Sequence, residues 1–176
     1  LLVKQEGLLA GVEVFSEVFF LLDERIIVDV RIRDGAQVFP GDVAVHLTGP
    51  AEALLLGERT ALNFVQKMSG VATITSRFVK IASPFGVLVQ HTRKTTPVLR
   101  DLEIYAVVVG GGALNRSGLF DGVLIKDNHL SITKNLGLSL LETVARCRQY
   151  VSPATKVGLE VADVTVLPDA LAACPD

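Results

Sequence analysis

The chain has 176 residues, 49% of them hydrophobic and 20% charged, with 17 Lys and Arg against 19 Asp and Glu. This composition suits a globular chain with ample core material, and a formal charge of −2 excludes the global basic field of a nucleic-acid binder. No apolar run reaches the length of a membrane span, no exported-protein leader opens the chain, and Cys147 and Cys174 lack metal-ligand spacing, so reduced cytoplasmic thiols are expected.

Residues 1–49 alternate short strands with one helix. Val14, Val18, Phe19 and Leu22 recur at helical spacing and predict a helix over 13–22. Strands are expected over 26–32 and 43–47, separated by turn signals at Asp34-Gly35 and Pro40-Gly41-Asp42. A long helix should follow from Glu52 to about Ala82, with Leu55, Leu62, Val65 and Met68 as its apolar stripe. Ser69-Gly70 should weaken or break it, with a restart at Thr73.

After Pro84 the pattern becomes strand and helix in turn. Strands are expected over 86–90, 122–125 and 157–159, and helices over 99–109, 139–150 and 164–173. Gly110-Gly111-Gly112 is a strong helix stop. Repeated strand-helix units imply parallel strands with crossover connections, and three units are too few to close a barrel. Both ends of the chain read as cuts, since Leu1 falls within ordered-looking sequence and Asp176 follows a helical stretch.

Each of the three expected parallel strands runs into polar residues. The first meets His91-Thr92-Arg93-Lys94-Thr95-Thr96, the second Lys126-Asp127-Asn128-His129, the third Glu160. Parallel α/β folds gather their active sites at the C-terminal strand ends, so Arg93, Lys94, Lys126 and Glu160 should face a common mouth. Arg93 can grip a carboxylate or phosphate bidentately, and Lys94 and Lys126 act as compact charges, so a polyanionic ligand is expected. The bland alternative is a set of solvated loop charges. Gly110-Gly111-Gly112 could cradle a phosphate, but it lacks GxGxxG spacing and sits at no strand-to-helix junction, so close chain packing is the simpler reading. Arg116 could face the same mouth. Arg59 taken alone reads as a surface residue paired with acids. His129 reads as a structural hydrogen-bonder, and with no second histidine at ligand spacing no protein-bound metal is expected.

Four stretches carry a resemblance. They are Gly57-Glu58-Arg59-Thr60-Ala61-Leu62-Asn63-Phe64 with Ser69-Gly70-Val71-Ala72-Thr73, then Thr92-Arg93-Lys94-Thr95-Thr96-Pro97, then Tyr105-Ala106-Val107 through Gly110-Gly111-Gly112, and Leu124-Ile125-Lys126-Asp127-Asn128-His129. In order and spacing the chain resembles the quinolinate phosphoribosyltransferase family over nearly its whole length. The resemblance implies an α/β fold of two domains, an N-terminal α/β sandwich over 1–82, including the long helix, and the first part of an incomplete TIM-like α/β barrel over 83–176. It implies transfer of phosphoribosyl from phosphoribosyl pyrophosphate to quinolinate with release of pyrophosphate and carbon dioxide, on the route to NAD. Magnesium would accompany the phosphoribosyl pyrophosphate. A homodimer is also implied, with Arg59 reaching into the partner's site.

By the same resemblance Arg59, Arg93, Lys94, Arg116 and Lys126 would bind anionic groups. Lys126 would lie near the reacting centre, and Glu160 would hold the ribose or the metal and stabilise an oxocarbenium-like transition state. The chain departs from the family pattern at several positions. His91 replaces an Asp, Val98 a Gly, and Glu52 a commonly basic residue. Asn115 replaces a substrate-contacting His and can hydrogen-bond but not carry charge. Alternatives of the same or another class are the molybdenum-transport-associated paralogue and a non-catalytic homologue.

Overall fold

A computed structural model describes all 176 residues, which form two compact units, Leu1–Asn115 and Arg116–Asp176. The first unit contains β1 (Gly7–Leu8), α1 (Val12–Leu22), β2 (Ile27–Val30), β3 (Gln37–Val38), β4 (Val45–Thr48), α2 (Ala51–Ala82), a 3-10 turn (Ser83–Phe85) and α3 (Arg100–Val109). β1 pairs with β3 and β2 with β4, both antiparallel, and Ile27↔Thr48 sets the second register.

α1 buries Val12, Phe15, Ser16 and Phe19, the i, i+3, i+4, i+7 face of a helix. This face is rotated from the expected stripe: Phe15 belongs to it, Phe19 is shared, and Leu22 is 40% exposed. Against α1 runs a stripe of mostly small residues on α2, with Gly57, Ala61, Val65, Met68, Ala72 and Thr75 buried. The predicted stripe holds at Leu62, Val65 and Met68 but fails at Leu55, which is 72% exposed. Two clusters fill the unit's core. Leu9, Phe15, Phe19, Ile26, Val45 and Val65 belong to one, and Ala10, Met68, Ala72 and Ala106 make the other.

The start of α1 is closed from a distance. Asp34, in the turn after β2, accepts the backbone N–H groups of Gly11 (2.7 Å) and Val12 (3.0 Å). These are donors a helix cannot satisfy internally, and a carboxylate also complements the helix dipole there. Tyr105 of α3 donates its hydroxyl to the same carboxylate at 2.9 Å, which ties a third helix to the junction.

α2 does not break at Ser69-Gly70. It runs 32 residues without interruption. The hydroxyls of Ser69 and Thr73, one turn apart, explain why polar residues stand there. Ala10 N–H donates to Ser69 Oγ (3.0 Å) and Leu8 N–H to Thr73 Oγ1 (2.8 Å), so the helix supplies partners to the chain crossing it. Glu52 lies in the first turn of α2, where a negative charge is favoured by the helix dipole.

The strand expected over 86–90 does not form. One parallel bridge, Gln90↔Ala113, is all that remains, while Val87 and Leu88 stand 58% and 74% exposed. A strand needs a ladder of partners, and here pairing stops at Val89 and Gln90, with none beside 86–88.

The second unit is β5 (Val123–Ile125), α4 (Asp127–Asn135), α5 (Leu140–Gln149), β6 (Val157–Leu159), a 3-10 turn (Val164–Val166) and α6 (Leu167–Ala172). β5 and β6 are parallel, as expected, with Ile125↔Leu159 in register. Ser139 caps α5 by a capping box with Glu142. The residues after Lys126 begin helix α4, where their polar sequence reads as a strand-end loop. The core gathers Ile125, Val144, Val157 and Ala173. Both cysteines are free. No helix is long and apolar enough to cross a membrane.

Candidate functional site

In the second unit the site follows from strand register. Because Ile125 and Leu159 are paired, Lys126 and Glu160 are the first residues beyond two adjacent parallel strands. Glu160 N–H donates to Ile125 O at 2.8 Å, which carries the pairing one step past the ladder. Their side chains meet there, Lys126 Nζ lying 3.3 Å from a Glu160 carboxylate oxygen, and both remain partly exposed at 39% and 54%. His129 in the first turn of α4 accepts the Lys126 backbone N–H at Nδ1, 3.0 Å away, in keeping with its structural reading. Arg116 precedes a turn closed by Asp121, whose carboxylate accepts N–H groups from Ser117 (2.7 Å) and Gly118 (3.0 Å). These bonds hold the Asp121 carboxyl below the usual carboxylate range. A Cβ built on Gly122 would lie 3.1 Å from Arg116 Cβ, so the arginine stem lies against the start of β5.

In the first unit the Thr92–Thr96 turn presents Arg93 and Lys94. Lys94 is exposed, and its N–H is taken by Thr92 Oγ1 at 3.2 Å. Arg93 is half-buried, and its Nε is a buried donor with no hydrogen-bond partner. An orphaned donor of this kind costs roughly 1–3 kcal/mol, a cost an anion on the guanidinium would offset. Arg59 is exposed on α2 and makes no ion pair within the chain, contrary to the simple surface-pair reading.

Three residues that sequence reasoning passed over hold this turn. Arg100 donates through Nε to Thr95 Oγ1 (3.2 Å). Glu103 accepts from the Thr96 hydroxyl (2.6 Å) and backbone (3.1 Å), and Lys67 of α2 pairs with it at 2.8 Å. No local spacing announces the Lys67 partnership, which spans two helices. Lys67 and then Thr96 keep the Glu103 carboxyl below the ordinary glutamate value. A carboxyl depressed in the folded state stabilises the fold above its unfolded pKa and loses that contribution as pH falls through the folded value. Glu103→Gln should therefore be less stable than the parent near neutral pH, with the gap closing as pH falls below about 4. Urea unfolding across that range checks it, and a gap independent of pH would contradict it.

The chain just after this turn carries strain. Val98, where the family pattern has Gly, sits at φ 69° with its side chain fully exposed. A β-branched residue in the left-handed region costs on the order of 1–3 kcal/mol.

Gly110-Gly111-Gly112 is a packing device. A Cβ on Gly110 would lie 2.6 Å from Ala72 O, and Gly111 has φ 83°, so α3 ends in a left-handed turn pressed against α2. A cleft of about 520 Å³ in this unit lies between residues 1–9 and α2, and none of the expected site residues lines it. Across the chain no group of three or more His, Cys, Asp or Glu side chains gathers.

Comparison with known proteins gives a consistent picture. Residues 1–69 match the family model described as the quinolinate phosphoribosyl transferase N-terminal domain, and residues 71–176 match that of the C-terminal domain. The chain is 40% identical over its full length to a probable nicotinate-nucleotide pyrophosphorylase (carboxylating) of Bacillus subtilis strain 168, covering 60% of that protein. Among solved structures, the nicotinate-nucleotide pyrophosphorylase of Francisella tularensis superposes with a TM-score of 0.89 at 34% identity, over 99% of this chain and 61% of that one. NadC from Streptococcus pyogenes gives 0.86 at 36% identity, over 96% and 60%. The chain thus spans about 60% of the length of these relatives.

Proposed function

This chain belongs to the quinolinate phosphoribosyltransferase family, and from that premise we propose that the protein transfers phosphoribosyl from phosphoribosyl pyrophosphate to quinolinate. Pyrophosphate and carbon dioxide leave, and nicotinic acid mononucleotide is the product, feeding NAD synthesis. The observation that carries the reading is the Lys126–Glu160 pair at adjacent strand ends. A reaction that builds positive charge on a sugar while negative charge develops on a leaving group is served by fixed charges of both signs. In this reading Glu160 faces the oxocarbenium-like ribose. Lys126 faces the anionic partner near the reacting centre.

Arg93, Lys94 and Arg116 take carboxylate and phosphate groups, and Asn115 hydrogen-bonds the acceptor. Arg93 with its unsatisfied Nε supports an anion role. Arg59, exposed and without an ion pair, is contributed to the partner subunit of a homodimer. Magnesium enters as the counter-ion of phosphoribosyl pyrophosphate, where it neutralises phosphate charge, and the chain's own residues do the positioning. Residues 1–82 form the sandwich domain, residues 83–176 the first part of the barrel, and the reaction takes place in the cytoplasm.

Full-length protein supplied with magnesium, phosphoribosyl pyrophosphate and quinolinate should form nicotinic acid mononucleotide with one carbon dioxide per turnover. Nicotinate in place of quinolinate should not be converted. Turnover of nicotinate alone, or no product with either acid, would reject the reading.

A further inference from the structure

Two of the positions at which the motifs depart from the family pattern touch each other. His91 is 5% exposed, and its Nε2 accepts the backbone N–H of Asn115 at 2.9 Å. The Asn115 side-chain amide returns a bond to His91 O at 3.4 Å. Acceptance at Nε2 needs the ring lone pair there, so the ring proton sits on Nδ1, 3.4 Å from Thr92 O. On the same seam Ala113 N–H donates to Val89 O (2.8 Å) and the Gln90 amide to Leu114 O (3.2 Å). Segments 89–92 and 113–115 are thereby laced together, and His91 is the last tie before one leads into Arg93 and Lys94 and the other into Arg116.

We infer that His91 is a positioning residue for quinolinate recognition, acting through Asn115. The inference rests on the function proposed above. A buried position that must accept the N–H of residue 115 can be filled by any side chain with an acceptor there, a carboxylate or an imidazole. A histidine in place of an acid at 91 therefore keeps the acceptor. The imidazole supplies that acceptor without the bare carboxylate charge an acid would bury beside Asn115, which brings no counter-charge of its own.

The test is a double-mutant cycle in the full-length protein with two replacements at 91. His91→Phe keeps an aromatic ring and removes the acceptor. His91→Gln sets an amide oxygen near the Nε2 position. His91→Phe should raise the KM for quinolinate about tenfold with kcat changed less than about threefold, as expected for one lost hydrogen bond felt in binding. His91→Gln should recover all but about twofold of that loss. In an Asn115→Ala background, His91→Phe should add less than about twofold, because the group it positions is gone. The Asn115 amide should exchange with solvent faster in His91→Phe than in the parent. A parental KM in folded His91→Phe, or full additivity with Asn115→Ala, overturns the inference. If the parent does not convert quinolinate, the proposed function fails by itself. Unchanged protection of the Asn115 amide would then separately overturn the positioning role.

Discussion

Lys126→Ala in the full-length protein is expected to lower kcat for phosphoribosyl transfer to quinolinate by about 10²–10³-fold, the usual loss when one preorganised charge is removed from a transition state. The side chain is set by the backbone: β5 ends at Ile125, the next residue leaves the sheet, and the following one starts α4. Glu160 is delivered to it by the parallel register. Removing Lys126 should hardly affect folding, because an ion pair this exposed contributes at most about 1 kcal/mol. The thermal midpoint should thus stay near that of the parent while activity collapses. A variant that keeps parental kcat would remove Lys126 from the reacting centre. A variant that simply unfolds would contradict the small structural weight given to the pair.

Phe19→Ala is expected to destabilise the first unit by about 3–5 kcal/mol, the range for emptying a packed aromatic site. Phe19 is 1% exposed and packs against Phe15 at a ring-centroid distance of 5.2 Å, tilted by 60°. Its other face meets Gly57. A Cβ there would lie 2.8 Å from Phe19 Cε1 and 2.7 Å from Leu22 Cδ1, so the missing side chain is what lets α1 and α2 close on each other. Because the unbroken α2 forms one wall of this seam, the vacated space has little room to collapse. Against a total stability of about 5–15 kcal/mol, such a loss shifts the urea midpoint far. A change below about 1 kcal/mol would show that the α1–α2 seam is not the principal core.

The readings that succeeded rest on local information. Helix α1 follows from apolar spacing, and the end of α3 from the glycine run that stops it. β5 and β6 follow from short apolar runs, and the motif residues are contiguous enough to be matched in order. The readings that failed needed a distant partner. Ser69-Gly70 looks like a helix breaker until Ala10 is laid across Ser69, and segment 86–90 looks like a strand until the ladder beside it is found missing. The residues after Lys126 look like a loop because α4 has no fully buried residue and rests on the core only through the partly buried Leu130.

The same division runs through the candidate site. That Lys126 and Glu160 each follow an apolar run is a property of one stretch of chain, so composition and order reveal it. That they stand side by side is a property of hydrogen-bond register between strands more than thirty residues apart, and only folding supplies it. Likewise the sequence marks His91 and Asn115 as separate departures from a motif, while their contact depends on two segments lacing together. Side-chain chemistry is written residue by residue. Proximity is settled by burial and backbone pairing, which are sums over the whole chain.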